Sequence, residues 1–270
     1  MTDRDRVNKY LQRIGYEGET PLTFSTLERL QCLHLHSVPY ENFDIMRNRP
    51  LALDIDGMYE KIVMRGRGGY CFELNGLFAW LLRSIGFKVI DYMARFLRDE
   101  TGIPMRRHRV LRVSCEGQDY LCDVGVGGVI PRRPLPYVHG VPDKQNGEEY
   151  KLEKEPFWGN VLYELKNGEW KKLYAFTEEE QLDIDYIMPS YYCENHPDSF
   201  FRQKDMANIF TENGRKSVDN RDIKIFAPGG VTVIHPATEE EYEGLLAEHF
   251  GVRLIKSKSH RITNCKTMNI

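Results

Sequence analysis

The sequence predicts an α+β protein in which helices come first, an antiparallel β region follows, and a smaller mixed α/β region ends the chain. Three observations predict this order. Apolar residues have helical spacing over the first third, short β-rich runs begin at Phe87, and Asn-Gly pairs occur at two hairpin-like positions. We therefore expect three domains: residues 1–86, residues 87–189, and residues 190–270 as a linking helix with an α/β domain.

The first domain contains four predicted helices. The first helix has an apolar stripe formed by Val7, Tyr10, Leu11 and Ile14. Ser25 and Glu28 have the spacing of a capping box and predict the start of the second helix, and Asp56 is the expected N-cap of a short third helix. The fourth helix should begin near Cys71 and end at Gly86, a favourable C-cap residue.

The second domain should consist of antiparallel strands. Short β-rich runs occupy residues 87–97, 109–115 and 120–126, and the last two flank a turn-like EGQD segment. Further along, Asn167-Gly168 separates two more runs and is a strong hairpin signal. The register that this turn sets pairs Lys166 with Glu169, so the cross-strand charges agree with the hairpin.

The last part of the chain returns to mixed structure. Thr177 and Glu180 repeat the capping-box spacing and predict a short helix. Residues 190–202 are ambiguous and are expected to bridge two domains. Two strand-like runs then precede a final amphipathic helix that Thr238 opens and Gly251 ends.

Composition excludes several classes of protein. The 270 residues include 37 basic and 40 acidic side chains, a formal net charge of -3, which argues against a nucleic-acid partner. No apolar run is long enough for a membrane span, and the charged N-terminus MTDRDRVNKY does not resemble a secretory leader. Six cysteines without a CxxC pair do not predict a disulfide framework. We expect a cytoplasmic protein with reduced thiols.

The segment RGRGGYCFELNGLF, residues 65–78, carries the clearest chemical signal. Gly68 and Gly69, followed by Tyr70, come just before Cys71 at the predicted start of a helix. Unpaired N–H groups at a helix N-terminus stabilise a thiolate, and glycines before it would keep side chains away from the sulfur. Cys71 is therefore the candidate nucleophile, and the other five cysteines lack such a setting.

A nucleophilic thiol needs a base and a group that orients the base. His108 opens an apolar strand soon after the cysteine helix, and Asp123 ends the next one. A hairpin centred on Gly117-Gln118 would put His108 and Asp123 on the same sheet face. It would also separate them by about 13 Å along a flat ladder at ~3.3 Å per residue. The spacing permits a triad without requiring one.

Four ordered blocks resemble the bacterial arylamine N-acetyltransferases: VPYENFD at 38–44, RGGYCFELNG at 67–76, HRVL at 108–111 and DVGVGG at 123–128. The resemblance implies a cysteine-protease-like core of an N-terminal helical bundle and an antiparallel β-barrel domain, with a C-terminal α/β lid. It also implies that Cys71, His108 and Asp123 form the catalytic triad.

The resemblance extends to residues around the triad. It implies a structural ion pair between Glu41 and Arg67 beneath the site. Two positions depart from the family pattern, with Tyr40 and Val126 where relatives usually carry phenylalanine. Because both positions are associated with the acyl or acceptor pocket, the departures leave acceptor selectivity open. The residues expected to line the pocket are Tyr40, Phe96, Val126 and Gly127.

The implied activity is ping-pong acetyl transfer through Cys71. Acetyl-CoA would be a consumed co-substrate, a small aromatic amine or hydrazine the acceptor, and no metal or permanently bound cofactor is implied. Two alternatives stay open: another Cys-His-Asp acyl-transfer enzyme (a thioesterase, an amide synthase or a transglutaminase-like enzyme), or a binding protein that kept the fold without activity. The sequence does not indicate the oligomeric state.

Overall fold

A computed structural model describes residues 2–98, 100–128 and 130–254. The α-helices of these ranges are α1 (Asp3–Arg13), α2 (Phe24–Ser37), α3 (Phe43–Met46), α4 (Ile55–Tyr59), α5 (Cys71–Ile85), α6 (Ile187–Asn195) and α7 (Glu239–Phe250). A π-helical segment, Glu60–Met64, continues α4, and 3-10 turns at Asp183–Tyr186 and Phe200–Arg202 flank α6. The last 16 residues of the predicted third domain, 255–270, lie outside the described ranges.

The strands form two antiparallel sheets. They are β1 (Tyr40–Glu41), β2 (Lys88–Phe96), β3 (Arg106–Cys115), β4 (Gln118–Cys122), β5 (Leu135–Pro136), β6 (Asp143–Gln145), β7 (Glu148–Glu155), β8 (Gly159–Lys166), β9 (Glu169–Phe176), β10 (Met206–Thr211), β11 (Gly214–Asp219), β12 (Asp222–Ala227) and β13 (Gly230–Ile234). The larger sheet has the order β5-β4-β3-β2-β9-β8-β7-β6, and the smaller has the order β1-β10-β11-β12-β13. The predicted α+β fold class is confirmed.

Two apolar cores hold these elements together. The first is continuous from the N-terminal helices into the eight-stranded sheet, with α5 buried between them. The second lies between the five-stranded sheet and α7, where Ile223, Tyr242 and Leu246 are fully buried. Strand β1 comes from the helical part of the chain but pairs with β10. The domain boundaries after residues 86 and 189 stay a prediction, and the first of them falls inside the continuous core.

Helix ends were predicted with mixed success. The start of α5 at Cys71 is confirmed, and Gly86 caps it with a left-handed φ of 118°. The expected N-caps Ser25 and Asp56 were wrong. Thr23 caps α2 by accepting the Thr26 N–H, and Asp54 caps α4 by accepting the Gly57 N–H. In both cases another oxygen-bearing side chain two residues upstream makes the capping hydrogen bond.

The capping-box spacing at Thr177 and Glu180 was also misleading, because no helix follows it directly. The Gln181 N–H donates to the Asp91 carbonyl at 2.9 Å, which ties this irregular stretch to β2. Helical structure begins only at Asp183–Tyr186 and continues as α6, so the ambiguous bridge is partly helical.

The Asn167-Gly168 hairpin is confirmed, including the pairing of Lys166 with Glu169. The β3–β4 hairpin differs from the prediction. Its two turn residues are Glu116 and Gly117, with φ of 50° and 75°, and not Gly117-Gln118. Positive φ at both central positions is the geometry of a tight hairpin turn. This change shifts the register that places the candidate site.

Within the described ranges, no helix is both long and apolar enough to cross a membrane.

Candidate active site

Cys71 is the first residue of α5 and is 3 % exposed. The helix start is fixed by Glu73, whose carboxylate accepts the Tyr70 N–H at 3.1 Å and receives a hydrogen bond from Lys61 at 2.8 Å. A carboxylate in the first turn also complements the partial positive charge of the helix end. The backbone that carries the thiol is therefore held by buried charged groups.

The two glycines before Cys71 have a different role from the one expected. A Cβ at Gly68 would lie 1.9 Å from the Pro39 carbonyl oxygen, and one at Gly69 would lie 2.9 Å from a Glu73 carboxylate oxygen. Their lack of side chains lets this segment lie against the backbone around Pro39 and against α5. Keeping side chains away from the sulfur is not what requires them.

His108 and Asp123 are in direct contact. The ring Nε2 of His108 donates to Asp123 Oδ2 at 2.7 Å, and both side chains are buried. The corrected turn explains this. Leu111 pairs with Cys122, so the extended ladder would place Asp123 opposite Val110. That position is two residues from His108, or about 7 Å along the strand, within reach of a diagonal side-chain contact.

Two further residues hold the Asp123 carboxylate. Asn75 Nδ2 and the Gly125 N–H each donate to Oδ1 at 2.8 Å. The buried Tyr174 ring packs against the His108 ring with centroids 5.3 Å apart, and the pKa of its hydroxyl is raised by burial and then by the Asp123 carboxylate. The carboxylate, and through it the His108 ring, is therefore fixed in one orientation.

Sequence reasoning missed both Asn75 and Tyr174. Asn75 lies four residues after Cys71, so the two occupy the same face of α5. A polar residue on the buried face of an amphipathic helix was a usable signal. Tyr174 carried none, because it comes from β9, far along the chain, and only the sheet order brings it near β3.

The surroundings of the Cys71 thiol favour its protonated form. It donates to the Arg107 carbonyl at 3.6 Å, and no hydrogen bond joins it to the His108 ring in the described part of the chain. Burial raises the pKa of this thiol well above its ordinary value, with contributions from Cys193 and Asp123. The Phe72 N–H at the start of the helix lowers this pKa, but burial has the larger effect. A thiolate requires proton transfer to a nearby base.

A cavity of about 700 Å³ opens at this thiol. The predicted site residues that line it are Cys71, His108, Tyr40, Phe96, Val126 and Gly127. Phe96 contacts the His108 ring edge-on, with centroids 5.9 Å apart. The cavity wall also contains five basic side chains (Arg98, Arg107, Lys204, Arg215 and Lys224) and two acidic ones (Glu100 and Asp219).

The loop after β4 approaches the nucleophile closely because it is rich in glycine. A Cβ at Gly125 would lie 2.6 Å from Asn75 Nδ2 and 2.7 Å from the Cα of Cys71. A Cβ at Gly127 would lie 2.6 Å from the Tyr40 ring. Side chains at these positions would displace the parts of the site that they touch.

Glu41 and Arg67 form a buried, two-pronged ion pair beneath the site. Arg67 Nε donates to Glu41 Oε1 at 2.8 Å, and a terminal nitrogen donates to Oε2 at 3.0 Å. Asp44 and Lys61 extend this pair into a network, with Arg67–Asp44 at 3.2 Å and Lys61–Asp44 at 3.0 Å. The network joins the backbone before α3 to the start of α5.

Comparison with known proteins places the chain in a family. The family model described as N-acetyltransferase matches residues 23–259. An arylamine N-acetyltransferase of Mycobacterium tuberculosis is 34 % identical over 251 residues, which is 91 % of this chain and 88 % of that protein. The chain belongs to the arylamine N-acetyltransferase family.

Solved arylamine N-acetyltransferase structures have the same fold. The enzyme of Salmonella typhimurium superposes with a TM-score of 0.89 at 28 % identity, covering 96 % of this chain and 94 % of that one. The Mycobacterium marinum enzyme in complex with CoA gives 0.84 at 31 % identity, covering 91 % and 92 %. The predicted resemblance and the predicted enzyme class, an acyltransferase, are confirmed.

Proposed function

We propose that this arylamine N-acetyltransferase moves the acetyl group of acetyl-CoA to an arylamine or arylhydrazine through an acetyl-Cys71 intermediate. The observation that carries the proposal is the arrangement at one cavity. A buried thiol lies at a helix N-terminus, and the same cavity is lined by a histidine whose Nε2 is bound by Asp123. These are the parts of a nucleophile, a base and an orienting group.

The first half-reaction acylates the thiol. Because Nε2 of His108 is occupied by Asp123, Nδ1 is the nitrogen available to take the Cys71 proton. The thiolate attacks the thioester carbonyl, and backbone N–H groups at the start of α5 stabilise the oxyanion. The carbon–sulfur bond to CoA then breaks, and the CoA thiolate takes the proton from His108.

The second half-reaction releases the product. The amine attacks the carbonyl of acetyl-Cys71 and loses a proton to His108, and the bond to Cys71 sulfur breaks. The products are an N-acetylated amine and the free enzyme. Water would compete with the amine, and residues of β10, β11 and β12 that line the cavity support the role of a C-terminal lid that limits its access.

The charge of the cavity supports acetyl-CoA as donor. Five basic side chains against two acidic ones suit the phosphates of CoA. The Arg215 guanidinium stacks on Phe226 at 3.6 Å, and burial lowers its pKa, an effect that Glu148 opposes and Arg98 and Arg132 reinforce. Positive charge crowded in this way is stabilised by an arriving anion. A related enzyme, from M. marinum, has been solved with CoA.

Release of CoA from acetyl-CoA, followed with and without an arylamine, tests the proposal. Amine-dependent release with formation of N-acetyl product is expected, and Cys71→Ala should abolish it. Cys32→Ala, which removes a half-exposed thiol, is the control and should leave turnover intact. CoA release at the same rate without amine would show a hydrolase and overturn the proposal.

A further inference from the structure

The position of Tyr40 in the cavity wall is tightly fixed. Its strand, β1, pairs with β10, and the next residue, Glu41, donates its N–H to the Gly69 carbonyl at 2.8 Å. The ring packs against Gly127, where a Cβ would lie only 2.6 Å from ring carbon Cε1. The ring therefore has little freedom to turn away from the cavity.

The hydroxyl of Tyr40 lacks a protein partner. The residue is only 9 % exposed, yet no hydrogen bond to its hydroxyl exists among residues 2–98, 100–128 and 130–254. The hydroxyl oxygen is not fully enclosed by protein atoms. Its remaining exposure is toward the cavity that Tyr40 lines. A hydroxyl that faces a binding cavity and has no protein partner is available to hydrogen-bond with a bound ligand.

The surroundings of the Tyr40 hydroxyl indicate which part of a bound ligand it would contact. Phe96, Val126 and Gly127 give the wall near Cys71 an apolar character that suits an aromatic ring. In the proposed mechanism the acetyl oxygen already has backbone N–H donors at the start of α5. Burial, and then the nearby Cys71, raises the pKa of Tyr40 well above its ordinary value, so the phenol stays neutral and can donate.

We propose that Tyr40 is a specificity-determining residue whose hydroxyl donates a hydrogen bond to a polar substituent on the ring of the bound arylamine. The site then prefers arylamines with an ether or carbonyl substituent over those with an alkyl group of equal size. This inference rests on the proposed acetyl transfer to arylamines.

The test compares matched acceptors with the wild type and with Tyr40→Phe, which removes only the hydroxyl. Methoxyaniline and ethylaniline, each as the para and meta isomer, have nearly equal size and no charge, but only the former accepts a hydrogen bond. We expect the wild type to prefer one methoxy isomer over its ethyl partner by about tenfold in kcat/KM, and Tyr40→Phe to lose that preference. Tyr191→Phe, at an exposed tyrosine outside the cavity, should keep the wild-type ratio.

Several results would overturn the inference. These are a wild type without preference in either isomer pair, a Tyr40→Phe variant that keeps the preference, or equal losses for both members of a pair. If Tyr40→Phe also lost the burst of CoA released without amine to the same extent, the hydroxyl would act on the acetyl group and not on the arylamine. The ratio of kcat/KM between the methoxy and ethyl acceptors is measured on the wild type. A wild type without this preference therefore overturns the inference even if Tyr40→Phe does not fold. Failure of the proposed function is different, because the wild type would then acetylate no amine.

Discussion

Replacing Gly125 by alanine tests how closely the loop after β4 must approach the nucleophile. The added Cβ would meet Asn75 Nδ2 at 2.6 Å, the Cys71 Cα at 2.7 Å and the Cys71 carbonyl oxygen at 3.1 Å. Two of these atoms belong to the backbone of α5, which is packed in the core and cannot give way cheaply. Gly125 does not have a positive φ, so the clash and not backbone strain is the perturbation.

The expected magnitude follows from the contacts. Contact distances of about 3.5–4.0 Å are normal between carbon atoms, so relief of the clash requires a shift of about 1 Å. Overpacking of this kind costs about 1–3 kcal/mol of stability. A shift of the same size between Cys71 and the Asp123–His108 pair costs about 100-fold in rate, because the reacting groups lose alignment.

The assay combines urea denaturation with steady-state acetylation of one arylamine. Gly128→Ala is the matched control, because its Cβ would contact only the flexible end of Arg98, at 3.3 Å. It should cost less than about 1 kcal/mol and much less activity than Gly125→Ala. If Gly125→Ala matches Gly128→Ala in both measurements, the close approach of this loop is not needed and the reasoning fails.

Three further predictions concern Asn75, the Arg67–Glu41 pair and the thiol. Asn75→Ala breaks hydrogen bonds to three buried groups, including the carboxylate that orients His108. We expect it to cost at least about 1–3 kcal/mol and tenfold or more in turnover, and wild-type turnover would contradict this. Arg67→Ala removes the two-pronged partner of buried Glu41 and a partner of Asp44, so urea denaturation should show a loss of about 3–5 kcal/mol, and a loss below about 1 kcal/mol would count against it. Because burial raises the pKa of Cys71, its thiolate should depend on His108; iodoacetamide labelling of Cys71 should therefore move to alkaline pH in His108→Gln, and an unchanged pH profile would refute this dependence.

Local signals predicted much of the fold. The helix from Cys71 to Gly86 has both a periodic apolar face and a glycine at its end, and the Asn167-Gly168 turn has the residues that its backbone geometry requires. Capping residues were less decisive, because several Ser, Thr and Asp side chains stood within two positions of each helix start. Tertiary packing determines which of them makes the hydrogen bond.

The candidate site was predicted in its residue types but not in its geometry. The distance between His108 and Asp123 depends on the hairpin register, and Glu116 is an unusual residue at the first position of a turn that needs positive φ. The wrong turn centre moved the register by two residues and doubled the expected separation. The contact between Tyr174 and the His108 ring depends on the order of the strands, which pattern reasoning did not supply.

Mass spectrometry of the enzyme after brief exposure to acetyl-CoA without amine tests the central claim most directly. We predict one added acetyl group, located on the Cys71 peptide, absent in Cys71→Ala, and lost when an arylamine is added as N-acetyl product appears. An enzyme that acetylates arylamines with no acetyl group on Cys71, or equally well as Cys71→Ala, would contradict the account.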